Sequence, residues 1–269
     1  MKKYITLMAI AIMAIASCSP KKGAESKSLV LYYSQTETTK TLAELIQQKT
    51  GADIASIEVV NPYGDYGETI QRGSQEVASH NLPELKPLTV DLADYDVIYL
   101  GTPVWFGTVA NPILSLLETE KFEGKKVVPF VTFGSGGRNT VEDYLKSTLT
   151  KADVQACYGV RQARIDKASK ELDRFLVEQS LIDGEVVALP DYTEMQPCSE
   201  EETAIFEAAI ATYPMLNGTV ASAAGARVTP DGTDYIFSAG TPDRPASMKI
   251  VVTVPSGEGS VPEFVEAIR

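Results

Sequence analysis

From Ser28 to about Leu181 the chain alternates strand-like and helix-like runs, and this alternation restricts its fold more than any other feature. Leu29-Val-Leu-Tyr-Tyr33 reads as a buried strand, and Thr38 to Thr50 as a helix with Leu42, Leu45 and Ile46 at helical spacing. Asp53 to Val59 is a second strand, and Glu68 to Ser79 a second helix. Asp96 to Leu100 is a third strand, followed by a loop and a helix over Val109 to Leu117. Lys126 to Phe133 is a fourth, Val141 to Leu149 a helix, Val154 to Tyr158 a short fifth strand and Lys167 to Ser180 the closing helix. Strands alternating with helices imply an α/β fold, a doubly wound parallel sheet with helices on both faces.

The pattern changes near Ile182. Residues 182 to 197 hold two prolines and no periodic run, and read as a linker. Ser199-Glu-Glu-Glu202 opens a helix with a capping-box pattern. Three strand-like segments follow, Thr219 to Val228, Thr233 to Ala239 and Ser247 to Val254, with Pro230-Asp-Gly232 as a hairpin turn. Residues 198 to 269 are therefore expected to form a small α+β domain.

In open parallel sheets, ligands sit beyond the carboxyl ends of the strands, where the strand order reverses. Three strand ends here carry distinctive chemistry. After the first comes Ser34-Gln35-Thr36-Glu37-Thr38-Thr39, directly before a helix. Hydroxyls and N–H groups at a helix N-terminus suit a phosphate monoester. Helix capping uses the same residues, but four hydroxyls in six positions exceed what one cap requires. After the third comes Thr102-Pro103-Val104-Trp105-Phe106-Gly107, with the only tryptophan. It can wall a planar ring, or it can pack a loop on itself. After the fourth comes Thr132-Phe133-Gly134-Ser135-Gly136, where glycines permit close backbone approach or a flexible turn. In a sheet ordered 2-1-3-4-5 the three loops converge on one edge.

Tyr32-Tyr-Ser-Gln-Thr36, Asn61-Pro-Tyr-Gly-Asp-Tyr66, Tyr95 to Trp105, Phe122-Glu-Gly-Lys-Lys126 and Pro129-Phe-Val-Thr132 together resemble the flavodoxin family, especially the branch common in anaerobic gut bacteria. The FMN site of that family is a standing example of the strand-end rule. The resemblance covers residues 28 to 181. It implies FMN as cofactor, with its phosphate at Ser34, Thr36, Thr38 and Thr39. It further implies contacts to the isoalloxazine from Pro103 to Gly107, Trp105 stacking, and Phe133 to Gly136 closing the other side. Two features depart from the family pattern. Glu37 stands where glycine is usual, and a carboxylate beside a phosphate costs Coulomb energy unless it points to water. Phe106 and Val109-Ala-Asn111 replace a second tryptophan and a Met-Pro pair.

Residues 198 to 269 resemble the cystatin fold in Glu200 to Glu207, Gly232 to Tyr235 and Lys249 to Glu258. The stretch Ala226 to Gly232 lacks the glutamine of the inhibitory Gln-x-Val-x-Gly hairpin, so protease inhibition is unsupported and a docking or packing module is expected. At the other end, Lys2 and Lys3 precede an apolar run from Ile5 to Ala16, which suits a signal peptide over residues 1 to 17. Ile15-Ala16-Ser17-Cys18 resembles the bacterial lipobox. That implies lipidation of Cys18, residues 18 to 27 as a tether, and anchoring in the cell envelope. Ser19 after the cysteine implies the outer membrane, facing the periplasm.

The formal net charge is −12, and residues 181 to 269 hold 14 Asp+Glu against 4 Lys+Arg. This balance argues against nucleic acid, whose phosphates need Lys and Arg. It also points any electrostatic protein partner toward the C-terminal domain. One histidine, His80, argues against a Ser-His-Asp triad or a His-rich metal site, and no metal site or catalytic acid–base residue is expected. Two functions follow: a membrane-anchored FMN protein passing electrons to an unidentified redox partner or small acceptor, or a lipoprotein that uses a cofactor-free flavodoxin fold and the cystatin-like module to bind a partner.

Overall fold

The computed structural model describes residues 26–269. The predicted leader, Cys18 and most of the tether lie outside the described residues. The N-terminal unit runs β1 (Ser28–Tyr32), α1 (Thr38–Thr50), β2 (Asp53–Ser56), α2 (Tyr66–Ser79), β3 (Val97–Trp105), β4 (Thr108–Val109), α3 (Asn111–Thr119), β5 (Lys126–Phe133), α4 (Arg138–Thr148), β6 (Asp153–Val154), β7 (Tyr158–Arg161) and α5 (Ala168–Glu178). Its parallel strands lie in the order β2-β1-β3-β5, with β6 and then β7 pairing along the outer side of β5.

Alternation along the strands builds two cores. Leu29, Leu31, Ile98, Leu100, Val127 and Val131 face α3 and α4, where Ile113, Leu116, Val141 and Leu145 are fully buried. Val30, Tyr32, Tyr99, Val128 and Phe130 face α1 and α5, against Leu42, Ile46, Leu172 and Leu176. Near-continuous apolar runs in these strands are the sequence consequence of covering both faces. Helix ends follow local chemistry. Gly51 closes α1 in the left-handed region, and the Asp65 carboxylate accepts from the Glu68 N–H to start α2.

The structure moves several predicted boundaries. The third strand does not end at Leu100. Thr102 and Pro103 stay in register with Val131 and Thr132 of β5, and the strand turns only at Phe106 and Gly107 to pair with β4. What reads as a loop is mostly sheet. The fifth strand is split by Gln155 to Cys157, where the Cys157 N–H turns aside to donate to the Glu142 carboxylate (2.8 Å).

The C-terminal unit contains β8 (Gln196–Pro197), α6 (Glu200–Ile210), β9 (Val220–Thr229), β10 (Gly232–Thr241), β11 (Arg244–Pro255) and β12 (Glu263–Ile268). The sheet is antiparallel in the order β12-β11-β10-β9-β8. Phe206, Ala209 and Ile210 of α6 pack on Phe237, Ile250, Val252 and Phe264. The complete capping box at Ser199 and Glu202 starts α6. The sequence reading has three strands here; β8 and β12 are additional. Six residues with Glu263 and Glu266 breaking the apolar alternation gave β12 little periodic signal.

Those acids have a local purpose. Glu263 pairs with Arg164 (3.3 Å) and Lys167, Glu266 with Arg138 (3.2 Å), and Asp231 with Arg174 (3.0 Å), each joining the C-terminal unit to the N-terminal one. Burial opposes the charge on Glu263, but the hydrogen bonds and positive charges of Lys167 and Arg164 hold its carboxyl below the usual range. Part of the C-terminal acidity is thus satisfied inside the molecule.

Candidate functional site

The carboxyl ends of β1, β3 and β5 open onto a cleft of ≈ 660 Å³, within the size range of cofactor sites. The first loop supplies its polar floor. Tyr33 donates from its hydroxyl to Gln35 Oε1 (2.6 Å), and Gln35 Nε2 donates to the Gly64 carbonyl (3.1 Å). Gln35 therefore ties this loop to the one before α2. Thr36 and Thr38 line the cleft. The side chain of the N-cap residue Glu37 does not cap α1. Ser34 Oγ takes the Lys40 N–H, and the N–H groups of Thr38 and Thr39 have no acceptor within their own helix. The positive end of the helix dipole is thus left for an anion.

Glu37 adopts the glycine conformation, with φ 62° and ψ −16°. Its side chain, 72% exposed, turns outward to pair with Lys40 at 2.7 Å. The carboxylate points to water, so the loop keeps the shape that glycine would give it. Ser34 and Thr39 are differently placed from the expectation. Ser34 Oγ accepts from the Lys40 N–H (3.2 Å), and Thr39 Oγ1 shares a buried 2.7 Å hydrogen bond with Thr132 Oγ1. Neither lines the cleft; both brace the loop, one to its own helix and the other to β5. Replacing Glu37 by glycine is expected to tighten FMN binding about two- to tenfold, through loss of a nearby negative charge. Stability should change by only a few tenths of a kcal/mol, because relief of left-handed strain opposes the added freedom of the unfolded chain. Fluorescence titration measures the first and thermal melting the second; unchanged or weaker FMN binding would contradict the charge argument.

The β3–β4 hairpin forms the aromatic wall. Phe106 (φ 51°) and Gly107 (φ 80°) make a two-residue turn with both residues at positive φ, the geometry that matches strand twist. The turn puts Phe106 outward, against α2 at Gly73, where an added Cβ would lie 3.0 Å from its ring. Pro103, Val104, Trp105 and Phe106 line the cleft. The Trp105 ring is held edge-on by Tyr33 (5.8 Å between centroids) and Tyr63 (5.0 Å). Behind it, the buried Glu76 carboxylate accepts from Tyr63 Oη (2.5 Å), Asn111 Nδ2 (2.8 Å) and Arg72 Nε (2.7 Å). Burial pushes the Tyr33 and Tyr63 hydroxyls well up, and the Glu76 hydrogen bond raises Tyr63 further, so both stay protonated. Thr102 and Gly107 do not line the cleft. The Thr102 hydroxyl accepts from the Ala110 N–H (3.0 Å) and fixes the return of the hairpin.

The third loop divides its contacts. Thr132, Phe133 and Gly134 line the cleft. Ser135 and Gly136, expected to close it, face the C-terminal unit instead. The Ser135 carbonyl accepts from the Ala267 N–H (2.7 Å), and a Cβ on Gly136 would lie 2.0 Å from the Ala267 carbonyl oxygen. β12 occupies the space outside these residues.

Six further residues complete the lining: Gly64, Asp65, Tyr66, Thr69, Ile70 and Gln162. Tyr63 and Tyr66 belong to the run Asn61 to Tyr66, whose spacing assigns them no role. Tyr66 is 81% exposed beside the cleft. The available signal was Asp65 with Glu68 three residues on, an N-cap pattern that starts α2 at Tyr66 and brings this loop to the same sheet edge. Gln162 carried no local signal.

A family model described as flavodoxin matches residues 27–172, more than half of the chain. Two curated relatives named NAD(P)H dehydrogenase (quinone) are similar in part. The one from Cupriavidus metallidurans is 32% identical over 95 residues, 35% of this chain and 46% of its own length. The one from Paracoccus denitrificans is 30% identical over 136 residues, 45% of this chain and 61% of its own. The chain thus spans less than two thirds of each. Among solved structures, a protein described as a flavoprotein from Bacteroides uniformis aligns with 27% identity and a TM-score of 0.50, covering 55% of this chain and 98% of its own.

Proposed function

We propose, from the premise that this chain belongs to the flavodoxin family through residues 27–172, that it is a membrane-anchored FMN protein passing electrons to a small acceptor. FMN is the cofactor. The observation that carries this reading is the pairing, across one cleft, of a helix N-terminus that its N-cap side chain leaves open with an aromatic hairpin. Thr36, Thr38 and the N–H groups of Thr38 and Thr39 at the start of α1 would hold the phosphate. Pro103 to Phe106, with Tyr66 also lining the cleft, would hold the flavin ring. Bound FMN supplies one- or two-electron transfer. The chain's own part is to bind, orient and exclude water. No side chain is assigned as acid or base, and the Tyr33 and Tyr63 hydroxyls serve as fixed donors.

A quinone is the acceptor class, a reading supported by the names of the two curated relatives. Protein loaded with FMN and reduced anaerobically should be reoxidised by a soluble benzoquinone faster than free reduced FMN. Reoxidation no faster than that of free FMN would contradict the acceptor reading. Anchoring rests on Cys18 in Ile15-Ala16-Ser17-Cys18, with several acyl chains giving stable attachment to the outer membrane. Cys18→Ala should move the protein from the membrane fraction to the soluble one, and unchanged retention would contradict the anchor. The C-terminal unit, cystatin-like in this reading, is a docking module. Its exposed α6 acids Glu200, Glu201 and Glu207 remain available to a partner.

A further inference from the structure

β12 is an edge strand. It pairs with β11 on one side, with Ala267 opposite Ile250, and among the described residues no strand pairs with its other side. Unpaired strand edges invite unwanted association unless they are covered. Here the cover is the third cleft loop. The Ala267 N–H donates to the Ser135 carbonyl (2.7 Å), and the Phe264 carbonyl accepts from Arg161 Nη1 (2.8 Å).

Arg161 joins the two sides. It ends β7, in register with Phe133 of β5, and is 5% exposed. Its Nε donates to the Gly134 carbonyl (2.8 Å) while Nη1 holds Phe264. The guanidinium lies over the rings of Phe264 (4.2 Å) and Tyr213 (5.1 Å). Burial lowers its pKa, yet guanidinium remains charged in proteins. Two carbonyls and two aromatic faces, rather than a carboxylate, balance this buried cation.

Gly134 therefore has the cleft on one side and the C-terminal unit on the other, with the Tyr213 hydroxyl 3.1 Å from the position of an added Cβ. A run of Gly134-Ser-Gly-Gly137 loses much conformational freedom when ordered. Contacts that order it before a ligand arrives raise the fraction of binding-competent molecules, and apparent affinity rises with that fraction.

We infer that the C-terminal unit holds the third cleft loop in place, with Arg161 as the positioning residue, so that FMN affinity depends on residues that never touch the cofactor. This rests on the FMN reading above. The test uses the full chain and FMN titration followed by Trp105 fluorescence, with the FMN dissociation rate measured separately. Arg161→Met should weaken binding about tenfold and speed dissociation. Ala267→Pro replaces an N–H that points away from β11 with a ring carbon set against the Ser135 carbonyl, and should weaken binding several-fold. Ser199→Ala, which removes the cap at the end of α6 opposite Tyr213, should lower the melting temperature and leave affinity unchanged. If Arg161→Met does not fold, Ala267→Pro decides. FMN affinities of the folded variants within twofold of the unsubstituted chain would overturn the inference. So would an equal loss in Ser199→Ala, since that reports general loosening. An unsubstituted chain that takes up no FMN overturns the cofactor reading and this inference together, and is distinguished by needing no variant to observe.

Discussion

Valine at both Thr36 and Thr38 is expected to weaken FMN binding by roughly 100-fold or more. Both residues line the cleft at the start of α1. A hydrogen bond to a charged group contributes about 1.5–3 kcal/mol, so two lost from a phosphate together exceed two orders of magnitude. Valine keeps the branched shape, and Thr36 is exposed, so the fold should be little affected. Riboflavin supplies the control because it lacks the phosphate: its affinity should be nearly the same for the variant and the unsubstituted chain. Thr39→Val should behave differently. It breaks the buried bond to Thr132 and leaves a buried hydroxyl without its partner, costing about 1–3 kcal/mol of stability, with a smaller effect on affinity. Equal losses for FMN and riboflavin in the double variant would place the phosphate elsewhere.

The second large effect lies in the sheet. Gly101 sits mid-sheet in β3, between Tyr32 of β1 and Phe130 of β5. A Cβ there would lie 2.1 Å from Phe130 Cζ and 2.4 Å from Cε2. Phe130 is 1% exposed, and β3 is bounded by strands on both sides, so neither can yield cheaply. Gly101→Ala should cost about 3 kcal/mol, the upper end for overpacking, and lower the melting temperature by roughly 6–12 °C. Because Gly101 leads directly into Thr102 to Phe106, FMN affinity should fall as well. Gly101→Ala combined with Phe130→Leu should be more stable than the sum of the two single changes, as expected of residues in contact. Circular dichroism melts check both, and strictly additive losses would contradict the contact.

Much of the N-terminal fold is legible in residue order. Leu29 to Tyr33 and Lys126 to Phe133 are apolar on both faces, and Leu42, Leu45 and Ile46 repeat at helical spacing, so strand and helix separate cleanly. The phosphate loop is legible for the same reason: hydroxyls crowd the start of a helix. What the residues did not reveal is direction. Thr39 and Ser34 look identical to Thr36 in composition, yet one is bound to Thr132 and the other to its own helix. Ser135 and Gly136 read as a cofactor rim, but their outer side belongs to β12, a strand whose acids hid its period. The charge balance shows the same limit. The acidity of the C-terminal unit pointed outward to a partner, while Glu263, Glu266 and Asp231 meet arginines and lysines of the N-terminal unit. Glu37 is the converse case. Its charge raised an objection to phosphate binding, and its left-handed backbone and outward pairing with Lys40 remove most of that objection.

The most direct test of the central claim is a titration of FMN into the chain from Gly23 onward, which retains every described residue. Visible absorbance and Trp105 fluorescence are followed together; this chain contains one tryptophan, so the quenching reports a single site. The account predicts saturation at one FMN per chain, shifted and sharpened flavin bands, quenched tryptophan emission and weaker binding of riboflavin. A flavin spectrum unchanged from free FMN, with undiminished tryptophan emission, would contradict it.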